Sequence, residues 1–306
     1  MTRPAASHSS CSGCDLCLLA CPVWRQTRDI RLTPHGRAKA LQHGATAAEL
    51  GTSIASCTLC GSCEPACPEE IPLVDLILDL RRKHPLAPAP ESRPAQATAT
   101  VSGTLILPDV ALRADAARLA RIAASLGAGL AADDGADISL ALEAGARVPP
   151  ARLTQFLAGL AAATRLVAAD GLLLRQLHAW LPGKHIDSLG IALSALPSVR
   201  SKLRARDLYV IEPRAFHADH ARLAGHYDAL RVDIGLETNL DLQRLAIPTT
   251  ASSAQNRLGL RALDAAEQAN WILEGRNFER VVVEDAHDCA VFAAVTDRPV
   301  VHLGDL

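Results

Sequence analysis

The sequence predicts a helical N-terminal domain followed by two similar α/β lobes with mainly parallel sheets. Two cysteine-rich motifs, separated by helix signals, mark residues 1–83 as the N-terminal domain. Residues 84–100 are rich in Pro, Ala, Ser and Thr, a composition typical of a semi-extended linker. From residue 101 onward, short apolar runs alternate with amphipathic segments, which indicates βα units. We therefore expect a first lobe over 101–204 and a second lobe over 205–306.

Eight of the nine cysteines fall into two copies of the spacing C-x2-C-x2-C-x3-C-P. The first copy contains Cys11, Cys14, Cys17 and Cys21, and the second contains Cys57, Cys60, Cys63 and Cys67. This run ligates [4Fe–4S] clusters in bacterial two-cluster ferredoxins, where the fourth cysteine binds the cluster of the other motif. We therefore expect one cluster on Cys11, Cys14, Cys17 and Cys67, and a second on Cys57, Cys60, Cys63 and Cys21.

Zinc knuckles and disulfides are the alternative interpretations of these cysteines. Zinc sites seldom use four cysteines in so close a run, and disulfides are rare in a reducing cytosol. The segment Met1 to Ser10 lacks the apolar stretch of a signal peptide. No apolar run approaches the roughly 18 residues that a transmembrane helix needs. We therefore expect two [4Fe–4S] clusters in a cytoplasmic protein, with peripheral membrane association left open.

Composition argues against nucleic acid as a partner. The net charge is −2, and aromatic residues make up 3% of the chain, which leaves few side chains for base stacking. A basic run beside the first motif consists of Arg25, Arg28, Arg31, Arg37 and Lys39. We interpret this run as a docking surface for an acidic partner or as counter-charge for the clusters. The alternative interpretation is a solvated helix face.

Helix signals fill the segment between the two motifs and the residues that follow the second. Thr33 predicts an N-cap, Pro34 suits the first turn, and Gly44 is a stop signal. A second helical stretch is predicted from Thr46 to about Ile54. Leu73–Lys83 carries apolar residues at helical spacing, which predicts a helix with one buried stripe. The N-terminal domain is therefore predicted to be an α-helical ferredoxin domain.

Seven apolar runs in the two lobes are candidate strands. They are Thr104–Leu107, Ile138–Leu142, Arg165–Ala168, Leu208–Ile211, Leu230–Asp233, Arg280–Val283 and Val300–Leu303. Helices fit between them, for example Ala114–Leu126 and Arg261–Leu273.

An internal repeat relates the two lobes. Ala114–Ala120 recurs as Ala218–Ala224, and Arg165–Asp170 is echoed by Arg280–Asp285. Short Ala- and Leu-rich strings often match by chance in so alanine-rich a chain, but here order and spacing agree as well. The sequence therefore predicts a duplicated lobe.

The two motifs and the segment Thr33-Pro-His-Gly-Arg37 resemble the iron–sulfur subunits of glycolate oxidase and lactate-utilisation complexes. Those proteins are in turn similar to the iron–sulfur subunits of anaerobic glycerol-3-phosphate dehydrogenase and of heterodisulfide reductase. His35 stands where that family carries an arginine, and residues 298–306 are similar to the family's final strand. The resemblance implies an electron-transfer subunit that works with an FAD-containing dehydrogenase subunit.

The lobes depart from the family pattern. Family lobes supply a lone cysteine, then Cys-Cys-Gly, then a last cysteine pair, which hold a noncubane cluster or zinc. In the second lobe, the corresponding positions are Arg214, Thr249-Thr250-Ala251, and Ala286 with Cys289. In the first lobe, they are Asp133-Asp134-Gly135, and Asp170 with Leu173. Because Cys289 alone keeps a thiol, we expect no second metal centre in the lobes and no heterodisulfide reduction.

The expected function is that of an iron–sulfur subunit in a flavin-dependent glycolate or lactate dehydrogenase complex, without catalytic residues of its own. Quinone or another carrier would be the downstream acceptor. The alternatives are a relay subunit of a heterodisulfide-reductase-like complex and a scaffold or assembly protein with structural clusters. The sequence assigns no role to Cys289 or to the group His217, His220 and His226. The histidines have two interpretations, a zinc or haem site and ordinary residues at the edge of the core.

Overall fold

The computed structural model describes residues 6–88, 102–241, 244–253, 258, 260 and 263–306. The helices α1 to α16 span Leu16–Leu19, Pro22–Thr27, Pro34–Gln42, Gly51–Ser56, Leu73–Lys83, Val110–Ala114, Ala116–Leu126, Ala136–Ala144, Pro150–Leu160, Gly171–Trp180, Leu189–Ser194, Pro197–Arg200, Pro213–Ala218, His220–Ile234, Ala265–Leu273 and Ala286–Val295. The strands β1 to β10 span Gly103–Leu107, Gly129–Leu130, Ala163–Ala168, His185–Ser188, Asp207–Val210, Glu237–Thr238, Leu240–Asp241, Leu245–Ala246, Arg280–Val283 and Val300–His302.

The N-terminal part is helical, as the sequence predicts. Helix α3 begins after Thr33, whose hydroxyl oxygen accepts a hydrogen bond from the Gly36 amide at 3.2 Å, and Pro34 occupies its first turn. The prediction for α5, Leu73–Lys83, is also confirmed. The helix predicted from Thr46 instead begins at Gly51. Thr46 and Glu49 cap each other across a single turn, and this exchange closes the turn before α4 starts.

Two four-stranded parallel sheets follow, and they share one strand order. The first sheet has the order β2-β1-β3-β4, and the second, taken from its other edge, has the order β6-β5-β9-β10. All pairs in both sheets are parallel. Strands β3 and β9, which carry the second pair of repeated segments, occupy equivalent places in the two sheets. The matching strand order supports the duplication that the repeats indicate. A short antiparallel pair, β7 and β8, lies outside them.

The central strands of both sheets are buried on both faces, so each strand divides its side chains between two cores. In β1, Ile106 joins a core that also contains Tyr209 of β5, whereas Leu105 and Leu107 point to the opposite face. In β5, Tyr209 belongs to the shared core, and Leu208 lies in a core of the second sheet. The alternation follows from the period of two along a strand. The two sheets therefore pack around one common core.

Two predicted strands are wrong. Ile138–Leu142 lies inside helix α8, which Gly135 and Gly145 bound at positive φ. Leu230–Asp233 forms the end of helix α14, whose C-cap is Gly235. A short apolar run is ambiguous between a strand and a buried helical turn. Here the flanking left-handed glycines are the helix signals that decide between them.

Two predicted helices start later than the sequence suggested. The stretch Ala114–Leu126 is interrupted at Asp115, whose carboxylate caps α7 by accepting from the Arg118 amide. Asp264 caps the helix predicted from Arg261, so α15 begins at Ala265, and residues 261 and 262 lie outside the described residues. The predicted linker is described over residues 84–88 alone. Within the described residues, no helix combines the length and the apolar character needed to cross a membrane.

Candidate metal centres

The eight motif cysteines line two separate cavities. The first thiol cavity is lined by Cys11, Cys14, Cys17 and Cys67. The second thiol cavity is lined by Cys21, Cys57, Cys60 and Cys63. Each cavity thus combines three thiols of one motif with the last thiol of the other, which is the crossed grouping that the spacing predicts. All eight thiols are free of disulfides. Metal ligation by these two sets stays a prediction.

The two motifs use the same backbone turns. Gly13 and Leu59 hold the second place between the first two cysteines of their motifs, and both have positive φ, 85° and 57°. Asp15 and Gly61 hold the next equivalent place, with φ of 65° and 77°. These left-handed residues turn the chain sharply enough for two-residue spacers to bring three thiols to one cavity. Left-handed backbone costs a side-chain-bearing residue about 1–2 kcal/mol and persists where the surroundings enforce it.

Backbone amides around both cavities suit a sulfur-rich anion. Within the described residues, the N–H groups of residues 12–15 and 58–63 have no carbonyl acceptor. The Ser62 amide and hydroxyl both donate toward the sulfur of Cys60, the hydroxyl at 3.4 Å. Backbone donors rarely stay without acceptors in folded proteins. Cluster sulfur atoms are acceptors that these amides could serve, so the residues present fit an iron–sulfur group.

Two buried arginines border the second thiol cavity. Arg37 lines the cavity and is 2% exposed, and Arg81 is fully buried. Arg37 donates to the carbonyls of Leu32 and Ser53, and Arg81 donates to those of Ile54, Cys57 and Glu143. The Nε of Arg81 has no hydrogen-bond partner among the described residues. A buried cation needs a counter-charge, and an iron–sulfur centre held by four thiolates would supply one.

Side chains from the region of the second sheet bind backbone carbonyls of the cysteine loop that lines the second thiol cavity. Arg214 donates to the Thr58 carbonyl at 2.8 Å and pairs with the Glu143 carboxylate at 2.6 Å. Nδ1 of His217 lies 2.7 Å from the Cys60 carbonyl oxygen. Burial lowers the pKa of His217 to about 3, so the ring is neutral. Its Nδ1–H therefore donates to Cys60, and its Nε2 accepts from the Ala246 amide at 3.2 Å.

The first thiol cavity lies nearer the surface. Cys14 is exposed, and the carboxylate residues Asp15 and Glu69 line the same cavity. The Asp15 carboxylate faces Nδ1 of His35, another lining residue. Lys39, which is half-buried, donates to the Cys11 carbonyl at 3.0 Å. The first cavity is therefore built within the N-terminal part, whereas the second also uses residues of both sheets' regions.

Burial favours the protonated form of two of the motif thiols, Cys17 and Cys21. Burial, followed by the neighbouring thiols Cys11, Cys67 and Cys14, raises the pKa of Cys17 to about 12. Burial likewise raises the pKa of Cys21 to about 12. Because metal ligands must be thiolates, assembly of a cluster in either cavity releases protons.

The basic run does not form one surface. Arg25 packs over the Trp271 ring at 4.0 Å, and Arg31 pairs with Asp29. Arg37 is buried and Lys39 is tied to the first cysteine loop. Arg28 lies 5.7 Å from the centre of the Trp24 ring. Two of these five side chains thus serve the thiol cavities, which agrees with the counter-charge interpretation for Arg37 and Lys39.

The positions where the family pattern would place cysteines lie beside the second thiol cavity. Arg214, Thr249 and Thr250 line a polar pocket that also includes Cys60 and Asp288. The Thr249 hydroxyl donates to the Asp288 carboxylate. The pocket wall thus consists of hydroxyl, carboxylate and guanidinium groups where thiolates would be needed.

The remaining family positions are engaged elsewhere. In the first lobe, Asp133 pairs with Arg152, and buried Asp134 pairs with Arg113. Cys289 is half-buried, and burial raises its pKa to about 11, so it is no activated thiol.

The three histidines flagged in the sequence do not converge on one site. Both ring nitrogens of His217 have partners, and Nε2 of His226 lies 2.9 Å from the Ser194 hydroxyl. Within the described residues, the group that could hold a metal ion outside the thiols is Asp109, Asp285 and His287. Asp109 follows β1, whereas Asp285 and His287 follow β9, so the sequence alone did not bring these three together.

Comparison with known proteins agrees with the geometry of the N-terminal part. Residues 7–71 match the family model described as a 4Fe-4S dicluster domain. No curated protein and no solved structure matches the chain. The matched residues contain both cysteine motifs. The N-terminal part is therefore a ferredoxin-like 4Fe–4S dicluster domain, and the function it indicates is iron–sulfur electron transfer.

Proposed function

We propose that this chain is the iron–sulfur electron-transfer subunit of a flavin-dependent dehydrogenase complex that oxidises a 2-hydroxy acid such as glycolate or lactate. One [4Fe–4S] cluster would occupy each thiol cavity, ligated by the crossed cysteine sets. The observation that carries the proposal is the shared wall between the cavities. Pro34 and Leu73 line both of them, so a single layer of side chains separates the two thiol sets. Two centres so close suit an electron relay.

Each cluster, when bound, supplies a centre that gains and loses one electron. The chain's own residues hold and tune these centres. The thiolates ligate, and the amides of residues 12–15 and 58–63 would donate to sulfur. Arg37 and Arg81 place buried positive charge beside the second cavity. Hydrogen bonds, charge and solvent exposure are the properties that set iron–sulfur potentials.

The exposed side of the first cavity suits a protein partner. Leu16 and Leu19, which flank Cys17, are 41% and 57% exposed, and Ile30 is 41% exposed. Apolar side chains are common at protein interfaces, and two of these three, Leu16 and Leu19, lie within the first motif itself. We propose that an FAD-containing subunit docks there. It would deliver the two electrons of its substrate singly to the first cavity.

The proposal is tested with the reconstituted chain and its co-purifying partners under anaerobic conditions. We expect an FAD-containing subunit to co-purify and 2-hydroxy acid to bleach the cluster absorption of that complex, but not of the isolated chain. The double variant Leu16→Asp/Leu19→Asp should lose the partner and keep its clusters, with Val232→Asp on another surface as the control.

Bleaching of the isolated chain by substrate would contradict the relay. Clusters that stay oxidised while the complex turns over would favour a structural scaffold. Reduction by another donor complex would favour the heterodisulfide-reductase-like relay.

A further inference from the structure

The two thiol cavities differ in the charge that surrounds them. Buried Arg37 and Arg81 border the second cavity, and among the described residues the hydrogen-bond acceptors of both are mainly backbone carbonyls and include no carboxylate. The first cavity has one half-buried cation, Lys39, and two lining carboxylate residues, Asp15, which faces His35, and Glu69.

Other charges near the second cavity cancel in pairs. Glu143 is paired with Arg214 at 2.6 Å, and Glu64, next to Cys63, is paired with Arg175 at 2.7 Å. A close ion pair has little net field at a distance, because its two charges oppose each other. Among the described residues, Arg37 and Arg81 are therefore the buried cations beside the second cavity whose hydrogen bonds go to no carboxylate.

This charge favours the reduced state of a cluster. Four thiolates on a [4Fe–4S]²⁺ core give a net charge of −2, and one electron makes it −3. A nearby cation stabilises the more negative state more strongly, and the low dielectric of the interior strengthens the interaction. Burial alone opposes reduction, since less solvent reaches the added charge. Two full positive charges enclosed in the same interior act against that penalty.

We propose that Arg81, together with Arg37, holds the second cavity's cluster at a higher potential than the first cavity's cluster. With a cluster bound in each cavity, an electron delivered to the first cavity would pass on to the second. This inference rests on the proposed function. Arg81 acts through the Cys57 peptide, whose carbonyl accepts from its Nη2 at 2.5 Å, so Arg81 is a positioning residue and not a ligand.

The structure also explains how Arg81 holds its place. Its guanidinium joins the carbonyls of Ile54 and Cys57 in the N-terminal part to the carbonyl of Glu143 in α8. Gly145, just after α8, has no room for a side chain, because an added Cβ would lie 2.3 Å from the Arg81 carbonyl oxygen. The close approach of these two backbones fixes the cation beside the second cysteine loop.

The experiment is an anaerobic redox titration of the full reconstituted chain, followed by electron paramagnetic resonance. Cys14→Ala, which removes an exposed ligand of the first cavity, assigns the two signals. Arg81→Met removes the charge and keeps a long apolar side chain, and Arg81→Lys keeps the charge. Arg152→Met is the matched control, since Arg152 is another buried arginine, paired with Asp133 and Asp137 away from the thiols.

In the unmodified chain, we expect the second cavity's signal to develop first on reduction. Arg81→Met should lower the midpoint potential of that signal and leave the first cavity's midpoint unchanged. Arg81→Lys and Arg152→Met should leave both midpoint potentials near their original values. If Arg81→Met does not fold, Arg37→Met tests the same prediction.

An unchanged second midpoint in an arginine-to-methionine variant that retains both clusters would overturn the inference. So would an equal shift of both midpoints, or earlier reduction of the first cavity in the unmodified chain. In all these outcomes the clusters still cycle, so the proposed relay would stand. Clusters that cannot be reduced at all would contradict the proposed function itself.

Discussion

The two thiol cavities have the same cysteine spacing and the same left-handed turns, yet their surroundings differ. The first cavity is formed by the N-terminal part and leaves Cys14 exposed. The second cavity includes the buried thiols of Cys21 and Cys60, and Arg214 and His217 of α13 donate to the carbonyls of its loop. Identical motifs therefore make equivalent thiol sets, whereas tertiary contacts give each set its own charge and exposure. We expect variants at equivalent positions to have unequal effects.

The largest effect is expected from the cysteines that cross between motifs. Cys67→Ala should remove the cluster of the first cavity, and Cys21→Ala that of the second, because each thiol lines the cavity of the other motif. Iron analysis and electron paramagnetic resonance of the two reconstituted variants measure this. If Cys67→Ala instead abolishes the centre held by Cys57, Cys60 and Cys63, the crossed ligation is wrong.

The next effect concerns the buried ion pair that ties the sheets to the second cavity. Arg214→Ala leaves Glu143, which is fully buried, without this partner, and loss of one member of a buried pair costs about 3–5 kcal/mol. We expect a drop of that size in the free energy of unfolding, measured by denaturant titration of the full chain. Iron should be lost from the second cavity before the first. Arg165→Ala, which breaks a half-exposed pair with Asp187, is the control and should cost less.

Two glycines with positive φ, one in each cysteine motif and at different positions of it, should show a smaller difference in stability between the two loops. Gly13→Ala and Gly61→Ala both place a side chain at positive φ, which costs about 1–2 kcal/mol. At Gly61, the new Cβ would also lie 2.8 Å from the Cβ of His217, whereas at Gly13 it meets the flexible end of Lys39 at 3.1 Å. Gly61→Ala should therefore destabilise the chain more in thermal or denaturant unfolding. Equal losses would show that His217 does not hold the second loop.

The smallest expected effect is a change in one midpoint potential only. Ser62 donates its hydroxyl to the Cys60 sulfur, and the equivalent residue of the first motif is the exposed apolar Leu16. Removal of one hydrogen bond costs on the order of 1 kcal/mol, or roughly 40 mV for a one-electron couple. Ser62→Ala should lower the second cavity's midpoint by about that amount, and Leu16→Ala should change neither midpoint. If Ser62→Ala leaves the midpoint potential unchanged, the hydroxyl acts through its contact with the Ala246 carbonyl and not through the Cys60 sulfur.

The sequence predicted the parts of this molecule that depend on local pattern. The cysteine spacing anticipated the grouping of thiols, and Thr33 and Pro34 marked the start of α3 correctly. Local pattern failed for Ile138–Leu142 and Leu230–Asp233, where a short apolar run fits a helix as well as a strand. The flanking glycines Gly135, Gly145 and Gly235 were the local signals that indicated helices instead.

The surroundings of the second cavity could not be predicted in the same way. Arg81 stands in the last turn of α5, where a basic residue usually interacts with helix carbonyls at the surface. Its burial depends on the approach of α8 from a region more than 60 residues further along the chain. His217 likewise belongs to a histidine-rich segment that suggested a metal site, but its ring supports the Cys60 loop.

The central claim is that two clusters lie side by side, separated by the thin wall of Pro34 and Leu73, and exchange electrons. Its most direct test is electron paramagnetic resonance of the fully reduced, reconstituted chain. We predict two reversible one-electron centres whose signals broaden through magnetic interaction, and a single uncoupled signal in Cys67→Ala. One reducible centre in the unmodified chain, or two without interaction, would contradict the relay.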